Sequence, residues 1–191
     1  DNPTHGSVIQ VNIATYRKFF GGTVNYDIIT LEMDKYVAFK NRQVLAFRMV
    51  NEFRNPEAGY EIPFRGLSYN GGITSLRGYF AGTFRANNLL AFETEYRLPF
   101  FNYVDGNESL LKFWKRMGVV TFLSGVKTSD TLGSLYNSDT KWFFAGGAGV
   151  RYMLDTKQRV NICFDYAVGL TKLAGDAGNN SGFYIGLSEA F

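Results

Sequence analysis

The sequence has few of the residues on which most catalytic and metal sites depend. Its 191 residues include one cysteine and one histidine. The single cysteine, Cys163, excludes a disulfide within the chain. The single histidine, His5, leaves little for a metal site or a serine–histidine relay. Nucleotide, metal and redox motifs are also missing. We therefore expect no cofactor, no metal and no enzymatic activity.

Charge and long apolar runs are scarce as well. Charged residues make up 19% of the chain, below the roughly 25% of a typical soluble domain. The net charge of +3 comes without a basic cluster, so we expect no nucleic-acid partner. No apolar run approaches the roughly 20 residues of a transmembrane helix. Two classes remain open: a soluble β-protein, and a membrane β-barrel whose strands leave no hydropathy peak.

Aromatic and glycine residues are abundant. Aromatics make up 17% of the chain, and there are 21 glycines but only 4 prolines. This composition favours many strands over a helical bundle. Alternating patterns between turn signals predict eight strands. The predicted strands cover residues 7–17, 26–39, 44–53, 87–100, 117–127, 141–154, 160–170 and 182–191.

The predicted connections alternate in length. Residues 40–43 and 155–159 form tight turns, whereas four connections are longer and mostly rich in Gly, Asn and Ser. The long connections cover residues 18–25, 55–86, 128–140 and 171–181. Short turns at one end and long loops at the other are typical of outer-membrane barrels. The exception is residues 101–116, which are long on the short-turn side and are predicted to hold a helical turn.

Each predicted strand has one large apolar face and one small or polar face. Between residues 160 and 170, for example, Phe164 and Tyr166 alternate with Cys163, Asp165 and Ala167. A soluble barrel would turn the apolar face inward, and a membrane barrel would turn it outward. The interior of an eight-stranded barrel holds only side chains, and aromatic rows would crowd it. The pattern therefore favours a membrane barrel, with a lipocalin-like barrel or a sandwich as the alternative.

Five short segments, in this order, resemble the BamA/TamA superfamily of outer-membrane assembly and translocation factors, also called bacterial surface antigen proteins. DNPTHGS resembles the turn before a barrel strand, and GGITSLRGY resembles the sixth extracellular loop. ETEYRLP is similar to the strand after that loop, and FDYAVGL to the penultimate strand. GFYIGLSEAF is similar to the closing β-signal strand. The resemblance covers essentially the whole chain and matches the last eight strands of a sixteen-stranded barrel.

The resemblance implies an all-β fold: a transmembrane antiparallel β-barrel with eight strands in an up-and-down meander. Residues 1–191 would form a single barrel domain without POTRA modules, integral to the outer membrane of a Gram-negative bacterium. The implied partners are the lipid bilayer and lipopolysaccharide. Other outer-membrane proteins and a homodimer of half-barrels are further candidates.

The resemblance also implies a site built around the tip of the extracellular loop, Leu76, Arg77, Gly78 and Tyr79. Arg77 would fold inward and pair with Glu95 on the following strand. Ser124 stands where the family carries an aspartate, and Glu93 and Asp165 are inward carboxylates that could compensate. The β-signal would comprise Phe183, Ile185, Leu187 and Phe191. The inward charges are equally suited to a purely structural network.

Loop size conflicts with a closed eight-stranded barrel. Such a barrel has no lumen for residues 55–86. Either only the Arg77 tip enters the barrel, or the loop caps the end of the barrel, or the sheet belongs to a wider assembly.

Two functions follow as expectations. The first is non-enzymatic assembly, insertion or translocation of outer-membrane components. The second is a structural or adhesion barrel that binds partners through its extracellular loops.

Overall fold

One antiparallel sheet dominates the computed structural model, which describes residues 4–73, 75–100, 109–138, 140–155, 160–173 and 180–187. Eight of its ten strands form this sheet in sequence order, and β4 and β5 form a separate hairpin. The strands are β1 (Gly6–Tyr16), β2 (Tyr26–Ala38), β3 (Val44–Pro56), β4 (Ser68–Asn70), β5 (Phe84–Ala86), β6 (Asn88–Pro99), β7 (Met117–Ser129), β8 (Phe143–Asp155), β9 (Val160–Gly169) and β10 (Ser181–Leu187).

All eight predicted strands are present close to their expected bounds. The largest differences are in β3, which runs three residues past its predicted end at residue 53, and in β7 and β8. β7 ends at Ser129 rather than residue 127, and β8 begins at Phe143 rather than residue 141. The β4–β5 hairpin lies inside the predicted loop 55–86 and was not predicted. Phe191 and the last part of the predicted closing strand lie outside the described residues.

Two short α-helices lie in the connections, in addition to single-turn 3-10 helices at Lys18–Phe20, Lys40–Arg42 and Phe64–Gly66. Helix α1 (Ser109–Lys115) precedes β7 and falls within the connection that was predicted to hold a helical turn. Helix α2 (Leu132–Leu135) follows β7, and its first turn is capped by the Thr131 side chain, which accepts a hydrogen bond from the Ser134 amide. Of the helices that the structure describes, none is long and apolar enough to cross a bilayer.

The predicted alternation of large apolar with small or polar side chains is present in the antiparallel sheet. In β9, Cys163, Asp165 and Ala167 are buried, while Phe164 and Tyr166 are exposed. The buried positions lie on the face that contacts residues 77–79, and we call it the inner face. The opposite face is the outer face. Small and charged side chains therefore line the interior, and large apolar side chains point away from it.

The outer face exposes an apolar surface that a soluble protein would rarely tolerate. Phe183, Ile185 and Leu187 of β10 are at least 70% exposed, and Ile9 and Ile13 of β1 are similarly uncovered. Contiguous apolar patches larger than a few hundred Å² usually mark an interface with protein or lipid. This distribution of polarity is the one expected of strands that face hydrocarbon.

Closure into an eight-stranded barrel is not seen. Within the described residues, β1 pairs with β2, β10 pairs with β9, and no ladder joins β1 to β10. Part of the long loop occupies the inner face instead, since Leu76, Arg77 and Tyr79 are buried against it. An eight-stranded barrel has room only for side chains inside. The described sheet is therefore an open antiparallel meander.

Candidate functional site

The tip of the long loop is buried against the inner face. We call residues 76–79 the loop tip. Leu76, Arg77 and Tyr79 are each 1% exposed, although they belong to a long connection rather than a strand. Leu76 and Tyr79 are part of a hydrophobic cluster that spans β5 to β8. Its other members are Phe84, Leu89, Ala91, Val126 and Ala145.

Arg77 is held by three carboxylates from two strands. Its Nη1 donates to Asp165 Oδ2 of β9 at 2.6 Å, and its Nη2 donates to Glu95 Oε2 of β6 at 3.1 Å. Nη2 also pairs with Glu93. The Phe122 ring covers the guanidinium, with its centroid 3.5 Å from Cζ. Charge-assisted bonds and a cation–π contact thus hold a loop residue on the sheet.

Two further arginines complete a balanced charge network. Arg97 Nε donates to Glu95 Oε1 at 2.7 Å, and Arg151 pairs with Asp165 and lies 3.7 Å from Glu95 Oε2. Burial alone would lower the pKa of Arg77. The charges of Glu93, Glu95 and Asp165 outweigh burial and raise this pKa above its ordinary value. Arg77 therefore stays protonated, and the three arginines match the three carboxylates.

Gly78 allows the loop tip to reach the backbone of β9. Its φ of +106° is disfavoured for residues with a side chain, and an added Cβ would lie 2.8 Å from the Gly169 nitrogen. The Gly78 amide donates to the Tyr184 hydroxyl of β10 at 2.8 Å. Gly169 in turn leaves room for the Tyr79 ring, because a Cβ on Gly169 would lie 2.7 Å from Cζ of that ring. The loop tip is thus fitted to β9 and β10 together.

The Tyr79 hydroxyl fastens the loop tip to the loop end of the sheet. It lies 3.0 Å from the Phe144 carbonyl and accepts a hydrogen bond from the Thr171 amide at 3.2 Å. The Thr171 carbonyl is a further acceptor for this hydroxyl. These contacts join the loop tip to β8 and to the residues that follow β9.

Replacing Tyr79 by phenylalanine is expected to lower the free energy of unfolding by about 1–3 kcal/mol, because buried partners of the hydroxyl lose their hydrogen bond. The measurement is denaturant unfolding of the purified protein in detergent. Tyr69→Phe is the matched control, since Tyr69 is 62% exposed. Equal effects of the two substitutions would contradict the assigned hydrogen bonds.

Ser124 lies beside the site without a bond to it. It is the cross-strand neighbour of Glu93 and is 1% exposed. Among the described residues, neither Ser124 Oγ nor Arg77 Nε has a hydrogen-bond partner. The carboxylates that surround Arg77 are therefore Glu93, Glu95 and Asp165, and the hydroxyl of Ser124 adds no hydrogen bond to the set.

Ser124→Ala is expected to change the free energy of unfolding by less than about 0.5 kcal/mol, because it removes a buried hydroxyl that makes no hydrogen bond. The same unfolding measurement tests this expectation. Glu95→Ala is the comparison, and it should cost several times more, since it leaves Arg97 and Arg77 short of a partner. A large loss for Ser124→Ala would show that the hydroxyl binds a group at the site.

The described residues of the predicted β-signal share the outer face of the last strand. Phe183, Ile185 and Leu187 of the predicted β-signal point outward, whereas Phe191 lies outside the described residues. Tyr184 points inward to the loop tip and was not predicted as a site residue, and neither were Phe122 and Gly169. The two-residue period of a strand places Tyr184 inward, but no sequence signal shows that it meets the loop.

The site offers no metal chemistry that the described residues could support. No group of three or more His, Cys, Asp or Glu side chains in that part of the chain could hold a metal ion. The three carboxylates instead surround arginine side chains. What the arrangement can do is hold the loop tip on the inner face through ion pairs, a cation–π contact and hydrogen bonds.

Comparison with known proteins gives a family and a fold. The Omp85 superfamily domain matches residues 1–191. Among solved structures, the chain is similar to BamA from Haemophilus ducreyi lacking POTRA domains 1-3, with a TM-score of 0.72 and 17% sequence identity. The match covers 97% of this chain and 39% of that chain, so this chain spans well under half of its length. The comparison with curated proteins found no match.

Proposed function

Because the chain belongs to the Omp85 superfamily, we propose that it is an integral protein of the bacterial outer membrane that assists the assembly, insertion or translocation of outer-membrane components. The observation that carries this proposal is the docked loop tip, in which Arg77 meets carboxylates of β6 and β9. A buried loop arginine with three acidic partners carries a desolvation cost, and the proposal attributes this cost to a loop that is held in place for function.

The outer face supports the membrane placement. Its exposed apolar residues on β1 and β10 suit hydrocarbon, and buried ion pairs on the inner face suit a protein-filled interior. The proposed partners are therefore the lipid bilayer and lipopolysaccharide. The proposed mechanism is non-enzymatic: the protein perturbs the local bilayer and presents a weak seam at its first and last strands.

The two sheet edges need partners in a bilayer, because unpaired backbone groups are costly in hydrocarbon. We propose that β1 pairs with β10 of a second copy. Ile9, Ile13, Phe183 and Ile185 are all outward, so this pairing keeps apolar residues on one face. Sedimentation in detergent is expected to give the mass of two chains. A single-chain mass would contradict the homodimer and leave the membrane placement standing.

Depletion of the protein in its native bacterium tests the proposed function. We expect the amounts of folded, heat-modifiable outer-membrane proteins to fall, and wild-type protein but not Arg77→Glu to restore them. Membrane fractionation of both proteins separates a loss of function from a loss of insertion. Normal outer-membrane protein levels after full depletion would contradict the assembly role.

Adhesion through the loops is the second candidate, because the long loop exposes aromatic side chains. Phe64, Tyr69 and Phe80 are at least 62% exposed. Such a patch would bind a partner at the cell surface. Phe64→Ser combined with Phe80→Ser should then abolish cell-surface binding without changing outer-membrane protein levels. Unchanged binding in this variant would contradict adhesion.

A further inference from the structure

The inner face carries a cavity at the end opposite the loop tip. It has a volume of about 450 Å³ and lies where β6 ends, β7 begins and the turn after β2 approaches. We call this the turn end of the sheet. The volume is within the usual range of ligand sites, roughly 300–1,000 Å³. None of the residues 76–79 lines the cavity, although Arg97 and Arg151 of its lining belong to the charge network around Arg77.

The described lining of the cavity has an excess of positive charge, although two of its cations, Arg97 and Arg151, are paired behind the lining with Glu95 and Asp165 in the ion pairs given above. Its described lining contains five cationic side chains and no carboxylate; the cations are Arg42, Arg97, Lys115, Arg116 and Arg151. Arg97 and Arg151 are 6% and 5% exposed, and they form the inner part of the lining. Arg42 and Arg116 are exposed at the rim. A cavity lined by one sign of charge concentrates ions of the opposite sign.

Apolar groups lie between these cations. Phe39, Val44, Val120 and Met153 line the same cavity, together with the buried amide of Asn161. A small inorganic anion would leave these apolar groups unused. The lining instead suits a ligand that presents acidic groups beside apolar ones.

We propose that this cavity binds an acidic peptide segment whose carboxylates reach the arginines and whose apolar side chains fill the remaining volume. A peptide is favoured over a lipid because the cavity is on the inner face, whereas the apolar outer face lies on the other side of the same strands. The proposal goes beyond the proposed function, since it requires neither a membrane nor an assembly role.

Binding there would be linked to the loop tip. Arg97 and Arg151 pair with Glu95 and Asp165, and the same two carboxylates hold Arg77. Carboxylates of a bound peptide would compete for Arg97 and Arg151. Glu95 and Asp165 would then be freer to hold Arg77, so the occupied cavity tightens the loop tip.

Fluorescence anisotropy of the purified protein in detergent tests the site, with a labelled peptide of alternating glutamate and leucine as the probe. The glutamine–leucine peptide serves as the neutral control. Arg42→Glu combined with Arg116→Glu should weaken binding about tenfold or more. Lys18→Glu with Lys172→Glu makes the same change in net charge at the loop end and should change the affinity less than about twofold.

Three results would overturn the proposal. The first is equal binding of the acidic and neutral peptides. The second is equal weakening by the two double variants, since this would mean non-specific attraction to a basic protein. The third is displacement of the peptide by phosphatidylglycerol vesicles but not by excess unlabelled peptide, which would assign the cavity to lipid. Far-ultraviolet circular dichroism of both double variants controls for folding.

Discussion

Arg77→Ala is expected to lower the free energy of unfolding by about 3–5 kcal/mol, the usual cost of removing one partner from a buried ion pair. The guanidinium is 1% exposed, and its loss leaves Glu93, Glu95 and Asp165 in the same buried space with less positive charge. The measurement is denaturant unfolding in detergent micelles.

Two matched variants sharpen this expectation. Arg85 belongs to the same loop but stacks on Phe64 at the surface, so Arg85→Ala should cost only about 0.5 kcal/mol. Arg77→Lys should fall between the two, because a compact ammonium cannot serve three carboxylates with the geometry of a guanidinium fork. A loss for Arg77→Ala no larger than that for Arg85→Ala would contradict a docked arginine.

Gly78→Ala is expected to undock the loop tip while leaving every charge in place. The added methyl group would lie 2.8 Å from the backbone of Val168 and Gly169. A side chain at the φ of +106° adds strain of about 1–3 kcal/mol. Limited trypsin digestion measures the result, since cleavage after Arg77 requires an accessible loop. We expect the fragment ending at Arg77 to form about tenfold faster or more.

Gly59→Ala separates strain from contact. Gly59 also has a positive φ, +85°, but nothing lies within 4 Å of the position that a Cβ would take. It should leave cleavage after Arg77 unchanged. If both alanine variants release the fragment at the same rate, then the close approach of Gly78 to β9 does not hold the loop tip.

Much of the sheet could be predicted because the signal is local. A strand repeats every two residues, so Phe164 and Tyr166 had to share a face opposite Asp165. Turn residues between such segments then gave strand order and approximate bounds. Alternation does not show which face of a strand points inward. That choice was argued from the small volume inside an eight-stranded barrel, and the structure places the apolar residues outward.

The details of the site depend on distances across the fold, which a local pattern does not encode. Glu93 and Glu95 are both inward by alternation, and only the position of the loop tip shows that both reach Arg77. Contact with Asp165 spans 88 residues of sequence. The inward side chain of Tyr184 follows from periodicity, but its hydrogen bond to Gly78 does not.

The open edges could not be predicted either. Alternation in β1 and β10 is the same whether the strands pair with each other or with other strands. The conflict between loop length and barrel width was visible in the sequence, since residues 55–86 exceed what an eight-stranded barrel can enclose. The structure resolves it with a loop on the inner face of an open sheet.

A double-mutant cycle between Arg77 and Asp165 tests most directly whether the loop is anchored to the wall. The two residues meet only when the loop tip is docked, with Nη1 and Oδ2 2.6 Å apart. Unfolding free energies of Arg77→Ala, Asp165→Ala and the double variant are compared in the same detergent. The anchored loop predicts a coupling free energy of about 1–3 kcal/mol. Additivity within about 0.5 kcal/mol would contradict it.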